Sequence, residues 1–173
     1  EARRLNTALA VFRSWEDTIA TYNVVREADT LEIRLPLKKY DLLPKEAEDN
    51  QLVKWSIIND SIGYINILSM MDPVTDDFIK AYRNVRGLPH LIVDIRRNEG
   101  GNSGNGMDIA EYLIKKQQPH CVSPSKVMEP QNDAYKGKVY LLISPCTFSA
   151  AESFALDIKE SGNATLIGSA TAG

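Results

Sequence analysis

The sequence predicts an α/β fold, in which strands alternate with helices around a mostly parallel sheet. Two apolar runs of strand length occupy residues 90–95 and 139–143. Each run is followed, after a short break, by residues with helical spacing, at 107–116 and at 150–161. Helical crossovers of this length are what parallel strands need. The breaks therefore fall at the carboxyl ends of the strands, where folds of this class place their sites.

A second pair of strands and a helix are predicted before these runs. Residues 53–58 and 62–68 have strand patterns and are separated by a short polar turn at 59–61. Residues 72–77 are rich in helix-start residues, and apolar residues at helical spacing follow until Gly87. We expect these elements to belong to the same core as the later strands.

The first 50 residues form a separate part in this interpretation. A helix is predicted over 1–20, and a β-hairpin is predicted from the alternation at 22–26 and 31–35. A charged linker over 38–50 follows. The predicted domains are thus residues 1–50 and a core of residues 51–173. The apolar stripe of the predicted helix consists of Leu5, Leu9, Phe12, Trp15 and Ile19.

Composition excludes several classes of function. The chain has 173 residues, 43% of them hydrophobic and 25% charged, and a net charge of −3. The chain has no excess of basic residues of the kind that binds nucleic acid. No apolar run approaches the roughly 18 to 20 residues of a membrane span. The spacing of Cys121 and Cys146 matches no pattern of metal ligands. The sequence does not decide whether the two cysteines form a disulfide. We therefore expect no metal and no cofactor.

The loop after the strand at 90–95 contains the residues most suggestive of chemistry. Asp94 and Arg96 stand two residues apart at the end of the strand, where charge pairing would fix the loop, and Asn98 is placed to cap a turn. Gly100 and Gly101 allow the backbone to approach a ligand closely because they have no Cβ. The glycines do not follow the dinucleotide order, and no Gly-Lys-Ser/Thr is present, which argues against a phosphate-binding loop.

Ser149 stands between the strand at 139–143 and the helix that follows. Unpaired N–H groups and the helix dipole favour negative charge at such a place, which suits a nucleophilic hydroxyl. The alternative is structural, because Ser149 and Glu152 have the spacing of a capping box. Cys146 is a weaker candidate nucleophile, for which we expect the role of a small buried thiol.

Three stretches of the sequence carry recognisable motifs. The first is Gly-Tyr-Ile at 63–65, and the second is Asp-Ile-Arg-Arg-Asn-Glu-Gly-Gly at 94–101. The third is Ser149-x-x-Glu152, followed by Gly-Ser-Ala-Thr-Ala-Gly at 168–173. Together they resemble the S41 family of serine peptidases, which includes the tail-specific and tricorn-type proteases, with isoleucine at 95 in place of the family's leucine. The resemblance covers roughly residues 53–173.

This resemblance implies a ClpP/crotonase-like core and a serine endopeptidase that forms an acyl-enzyme on Ser149. It also implies an oxyanion hole made by the Ala150 amide and by an amide of the Gly100-Gly101 turn, with the choice of glycine left open. The substrates would be unfolded or C-terminal polypeptide segments. By family analogy the protein would be exported to the bacterial periplasm or cell envelope, with a remnant of a PDZ-like module within residues 1–50. Oligomeric state is left open.

The general base is the missing part of this interpretation. His90 precedes a strand, at the end opposite to the loops, and His120 lies in the irregular connection at 117–137. The resemblance implies that the base is a lysine after residue 173 or a histidine before residue 1. We therefore expect the chain alone to be inactive. The rival function is a non-catalytic ligand- or peptide-binding module on the same fold.

Overall fold

The computed structural model describes residues 19–26, 29–36 and 51–171, and the chain divides into two compact units after Asn50. The first unit contains strands β1 (Ile19–Arg26) and β2 (Asp29–Pro36), which pair in antiparallel register from Ile19↔Pro36 to Arg26↔Asp29. The predicted hairpin is confirmed. The helix predicted over 1–20 falls mainly on residues outside the described ranges, and its last two residues belong to β1. The linker at 38–50 lies outside them too.

The second unit is built on a five-stranded sheet. The strands of this unit are β3 (Val53–Asn59), β4 (Ile62–Ile67), β5 (His90–Asp94), β6 (Gln118–Pro119), β7 (Val127–Met128), β8 (Lys138–Ile143) and β9 (Ala164–Gly168). The order in the sheet is β3-β4-β5-β8-β9. Strands β3 and β4 form an antiparallel hairpin, and every later neighbour in the sheet is parallel. The predicted α/β class with mostly parallel strands is confirmed.

Three helices, α1 (Val74–Val85), α2 (Ser103–Glu111) and α3 (Ala150–Glu160), pack beside this sheet. Helix α1 packs on β3 and β4, α3 packs beside β9, and α2 contacts both other helices. The core lies between these helices and the sheet and is formed by apolar residues on alternate positions of the strands. Burial of this apolar surface is the main source of stability.

The two apolar runs that predicted buried strands bury only one face completely. In β5, Leu91 and Val93 are fully buried, whereas Ile92 between them is half-buried. In β8, Val139 and Leu141 are buried and Tyr140 is half-buried. The alternation that a strand imposes on its side chains therefore decides burial, although the sequence is apolar at nearly every position.

Helix α2 differs from the prediction, which placed it at 107–116. It begins four residues earlier because Asn102 caps it, with its side-chain oxygen accepting from the Gly104 N–H at 2.9 Å. It ends at Glu111, after which the Leu113 N–H donates to the carbonyl of Ala110, three residues back. Gly104 and Gly106, which the prediction left before the helix, therefore lie in its first turns. At Gly106 an added Cβ would lie 3.3 Å from the Cβ of Phe154, so the glycine lets α2 and α3 approach closely.

The connection between α2 and β8 is mostly irregular, as predicted, but it includes the short antiparallel pair of β6 and β7. Cys121 and Cys146 are free thiols. Within the described ranges no helix combines the length and the apolar character that crossing a membrane requires.

Gly168, the first residue of the predicted turn at 168–173, is required for the pairing of β8 with β9. Its φ is +133°, and an added Cβ would lie 1.9 Å from the carbonyl oxygen of its partner Ile143. We expect Gly168→Ala to lower the free energy of unfolding by more than about 2 kcal/mol, because backbone strain and a clash add. Urea denaturation followed by circular dichroism measures the change.

Gly87→Ala is the matched control, since an added Cβ there meets no atom within 4 Å and the φ of Gly87 is outside the left-handed range. This variant should be neutral or more stable by up to about 1 kcal/mol. Equal stabilities of the two variants would show that the edge of the sheet rearranges freely around residue 168.

Candidate active site

The candidate site lies where three neighbouring strands end. Strands β4, β5 and β8 are parallel neighbours, so their carboxyl ends meet at the same edge of the sheet. The segment around Met70 follows β4, the glycine turn follows β5, and Ser149 follows β8. The parallel topology thus brings together the stretches that the sequence analysis singled out.

Ser149 has an unusual backbone conformation. Its φ is 55° and its ψ is −121°, and among the described residues other than glycine it alone has a positive φ. For a residue with a Cβ such a conformation costs about 1 to 3 kcal/mol and persists only where the surroundings enforce it. Ser149 is exposed and immediately precedes the first residue of α3. A strained serine on a sharp strand-to-helix turn is the arrangement that presents a nucleophilic hydroxyl to a substrate.

The predicted capping box is also present, and it leaves the hydroxyl available. The N–H of Ser149 donates to the Glu152 carboxylate at 2.8 Å. The N–H of Glu152 donates to the carbonyl oxygen of Ser149 at 2.9 Å, so the hydroxyl is at most a second acceptor for that donor. The structural and the chemical interpretations of this pair are therefore compatible.

The glycine turn packs directly against the nucleophile segment. Gly100 has a φ of +100°, and an added Cβ would lie 2.8 Å from the Cβ of Ser149 and 3.0 Å from the amide nitrogen of Ala150. Gly101 has a φ of +142°, and its added Cβ would lie 2.6 Å from the carbonyl carbon of Met70. Each glycine is thus required by its conformation and by the backbone that it touches.

The buried residue Asn98 connects the ends of the three strands through its hydrogen bonds. Its side-chain Nδ2 donates to the carbonyl of Ile67 at the end of β4, at 3.1 Å. Its Oδ1 accepts from the N–H of Gly100 at 2.9 Å, which confirms the expected turn cap. Its own carbonyl accepts from the N–H of Phe148, the residue before Ser149, at 3.0 Å. The Asn98 side chain has no exposed surface.

This network determines which amides are available at the site. The N–H of Gly100 is occupied by Asn98. Within residues 51–171, the N–H groups of Gly101 and Ala150 donate to no protein acceptor. Gly101 is exposed and follows Gly100, which packs against Ser149, whereas Ala150 directly follows Ser149 and begins α3.

Asp94 and Arg96 anchor the other end of the glycine loop. The buried Asp94 carboxylate accepts from Arg96 Nε at 2.9 Å and Nη2 at 2.7 Å, and from the hydroxyl of Tyr64 at 2.7 Å. Burial by itself would raise the pKa of Asp94, but the hydrogen bonds from Arg96 and Tyr64 together hold it below its ordinary value. The structural role predicted for the pair is confirmed. Tyr64 was singled out only as part of the resemblance.

Two hydroxyl residues before Ser149 were missed by the sequence analysis. The fully buried Thr147 donates through Oγ1 to the carbonyl of Ile95 at 2.9 Å, and Ser144 donates through Oγ to the carbonyl of Arg96. Both tie the nucleophile segment to the loop after β5. The only signal in the sequence is a short polar break between a strand and a helix.

Neither histidine of the chain lies beside Ser149. His90 begins β5, at the edge of the sheet opposite to the site. His120 is buried, and its Nδ1 lies 2.7 Å from Oδ2 of Asp157 on α3. Asp157 is eight residues beyond Ser149, about 12 Å along the helix. His120 is therefore held away from Ser149.

Cys146 is half-buried rather than buried as expected, because the turn that carries it reaches the surface. Its N–H donates to the hydroxyl of Ser144 at 3.0 Å, and it lies before the helix-start position that Ser149 occupies. It has none of the features that would make it the nucleophile.

Comparison with known proteins gives a family for this geometry. The model described as peptidase family S41 matches residues 61–173, more than half of the chain. The chain belongs to peptidase family S41. A second model, described as the N-terminal domain of S41 peptidases of Bacteroidetes, matches residues 1–37. The resemblance seen in the sequence is confirmed.

Curated relatives and solved structures agree with this assignment. The chain is 26% identical over 167 residues to a carboxyl-terminal-processing protease of Picosynechococcus sp. (strain ATCC 27264 / PCC 7002 / PR-6), covering 91% of this chain and 36% of the relative. It is 26% identical over 125 residues to the carboxy-terminal processing protease CtpB of Bacillus subtilis (strain 168), covering 65% of this chain and 25% of that protein. The chain thus spans only about a quarter to a third of these relatives.

The photosystem II D1 C-terminal processing protease has a similar fold, with a TM-score of 0.61 at 18% identity. The match covers 83% of this chain and 41% of that one. At this identity the likeness supports the fold alone.

Asp94→Asn tests the anchor of the glycine loop. The variant cannot accept from Arg96 and Tyr64 as a charged group, and we expect it to lose about 1 to 3 kcal/mol of stability at pH 7. A carboxyl whose folded-state pKa lies below its ordinary value of 3.8 stabilises the fold above that value. That contribution disappears as the pH falls through the lowered pKa, so the difference between wild type and variant should shrink there.

Denaturant unfolding at pH 7 and at stepwise lower pH measures both effects. Asp133→Asn is the matched control, because Asp133 pairs with Arg86 at a half-exposed surface site and should contribute at most about 1 kcal/mol. A stability difference for Asp94→Asn that does not vary with pH would contradict the assigned role of its charge.

Proposed function

We propose that this chain carries the nucleophile and the oxyanion hole of a serine endopeptidase. The observation that carries the proposal is the strained backbone of Ser149, held at the start of α3 and packed against the turn that contains Gly101. The N–H groups of Ala150 and Gly101 donate to no acceptor within the described residues. Strain of this kind is retained where a hydroxyl must be presented to a substrate. Membership of a peptidase family supports the same chemistry.

In this proposal the Ser149 hydroxyl attacks the scissile carbonyl and forms an acyl-enzyme, which water then hydrolyses. The developing oxyanion accepts hydrogen bonds from the N–H groups of Ala150 and Gly101. Gly101 is favoured over Gly100 because the Gly100 N–H already donates to Asn98. Such amides are aligned before the reaction begins, and this preorganisation lowers the barrier. Gly100 contributes by the close approach that its missing Cβ permits.

The general base is proposed to be a lysine or a histidine outside these 173 residues. His90 and His120 are held away from Ser149, as described above. The base would take the hydroxyl proton during attack and deliver it to the leaving amine. Removing that base should therefore abolish turnover while leaving the fold of this core unchanged.

The proposed substrates are unfolded or C-terminal polypeptide segments, because the curated relatives are named as carboxy-terminal processing proteases. A bacterial, exported protein agrees with those relatives and with the match of residues 1–37 to a domain of Bacteroidetes peptidases. The division into residues 1–50 and 51–173, with a PDZ-like remnant in the first part, stays a proposal.

Ser149→Ala tests the nucleophile in the full-length protein that contains this chain. We expect cleavage of an unfolded substrate such as casein to be lost, and labelling by a fluorophosphonate probe at the peptide that contains residue 149 to disappear. Mass spectrometry of the products and of the labelled protein measures both. Ser153→Ala is the matched control, since Ser153 lies one turn further along α3 and should retain both activities.

A well-folded wild type that neither cleaves several substrates nor reacts with the probe would overturn the proposal. The chain would then be a non-catalytic binding module on the same fold, and Ser149 would serve only as a helix cap.

Asn98→Ala tests the positioning of the oxyanion turn. The variant leaves the Gly100 N–H and the Ile67 carbonyl without their partner, and the turn should lose its fixed orientation. We expect kcat to fall by about 10- to 100-fold with a small change in KM, somewhat less than the roughly 100- to 1000-fold loss on removing an oxyanion donor. Steady-state kinetics on a fluorogenic peptide measures the changes in kcat and in KM. An unchanged kcat in a folded variant would show that the turn is positioned by other contacts.

A further inference from the structure

A second cluster of chemically active side chains lies at the far end of α3 from Ser149. His120 and Cys121 follow strand β6, and Asp157 lies in the third turn of α3. These three residues line a cavity of about 420 Å³. The proposed peptidase mechanism makes no use of them.

The contacts of the cluster are those of a histidine held in a fixed orientation by a carboxylate. His120 is 3% and Asp157 1% exposed, and His120 Nδ1 lies 2.7 Å from Asp157 Oδ2. The other carboxylate oxygen accepts from the backbone N–H of Cys121 at 2.8 Å. Without an ion this contact is a hydrogen bond that the Nδ1 proton makes to the carboxylate, and it places Nδ1 and a carboxylate oxygen side by side.

The sulfur of Cys121 lies in the same group. Its thiol approaches the carbonyl oxygen of Ser153 at 3.3 Å, which turns the side chain towards α3. One donor atom each from His120, Cys121 and Asp157 lie within 4.8 Å of one another. Ligands around a tetrahedral Zn²⁺ are about 3.3 to 3.8 Å apart, so a shift of about an ångström would close the set.

A buried acceptor beside the cluster also lacks a partner. The Nε2 of Gln118 donates to the backbone carbonyl of Asp157 at 2.8 Å, whereas its Oε1 is buried and has no hydrogen-bond partner in the described part of the chain. Gln118 lines the same cavity. A cation, or water bound to it, would satisfy this oxygen.

We propose that His120, Cys121 and Asp157 form a binding site for a borderline-soft divalent cation such as Zn²⁺. Imidazole and thiolate ligands select this class of ion, whereas Ca²⁺ and Mg²⁺ prefer oxygen ligands alone. The ion is held by Nδ1 of His120, the sulfur of Cys121 and a carboxylate oxygen of Asp157, and it replaces the hydrogen bond between His120 and Asp157. On binding, the imidazole carries its proton on Nε2, and the thiol proton of Cys121 leaves to the solvent. The bound ion would link the segment at 118–121 to α3 and stabilise the helix that begins after Ser149. This inference does not depend on the proposed peptidase activity.

Cobalt and zinc binding to the purified, chelator-stripped protein tests the site. Co²⁺ should bind with one-to-one stoichiometry and produce the near-ultraviolet charge-transfer band of a cobalt–thiolate bond, which Zn²⁺ then displaces. Zn²⁺ should also raise the melting temperature. Titration calorimetry and differential scanning calorimetry complete the measurement.

Cys121→Ser should remove the cobalt–thiolate band and weaken Zn²⁺ binding by at least about 10- to 100-fold. Cys146→Ser is the matched control, because Cys146 lies in the nucleophile segment and should leave band and affinity unchanged. His120→Asn provides a second variant that keeps the thiol, and it should weaken binding in the same range.

The absence of a cobalt–thiolate band in the folded wild type would overturn the proposal. A band that persists in Cys121→Ser and disappears in Cys146→Ser would overturn it as well, since the ion would then bind elsewhere. In either case the His120–Asp157 pair would serve only to join the 118–121 segment to α3.

Discussion

The buried carboxamide of Asn98 is the interaction on which the geometry of the candidate site depends. It satisfies a carbonyl at the end of β4 and an amide in the turn after β5, and the backbone of the same residue accepts from the segment after β8. Buried backbone groups need such partners, so no water or flexible side chain can easily take its place. The relative positions of Ser149 and the glycine turn are therefore set by three adjacent strands of one sheet.

The loop that carries the two glycines is held at both ends, which fixes a backbone conformation that only glycine adopts readily. Asp94 and Arg96 fix its beginning, and hydrogen bonds between Gly100, Asn102 and Met70 fix its end. Free glycines would sample many conformations, and a segment restrained in this way keeps one of them. The site is thus rigid because its supports lie in the sheet, and the site residues themselves need few direct contacts with one another.

Much of this arrangement could be predicted from the sequence, because strand and helix periodicity are local properties. The strands of the core, the charge pair of Asp94 and Arg96, and the cap by Asn98 all depend on residues close together in the chain. The start of α2 could not be seen, since glycines usually mark a loop and only the tertiary contact with Phe154 explains Gly106 within a helix. The His120–Asp157 pair was invisible for a similar reason, as it joins residues 37 positions apart.

The hydrogen bonds within the site could not be predicted from the sequence either. The sequence left open whether the N–H of Gly100 or that of Gly101 is free to bind a substrate oxygen, because the two residues are chemically identical. Only the position of the Asn98 side-chain oxygen distinguishes them. The roles of Thr147 and Ser144 were also hidden, since each hydroxyl bonds to a carbonyl about 50 residues earlier in the chain.

The backbone of Ser149 has a consequence for how this position tolerates mutation. At a φ of 55° every side chain with a Cβ is disfavoured, and glycine alone would relax the turn without moving it. For folding alone, glycine would therefore be the better residue at this position. A serine retained there in related sequences would indicate that its side chain is needed for something other than folding.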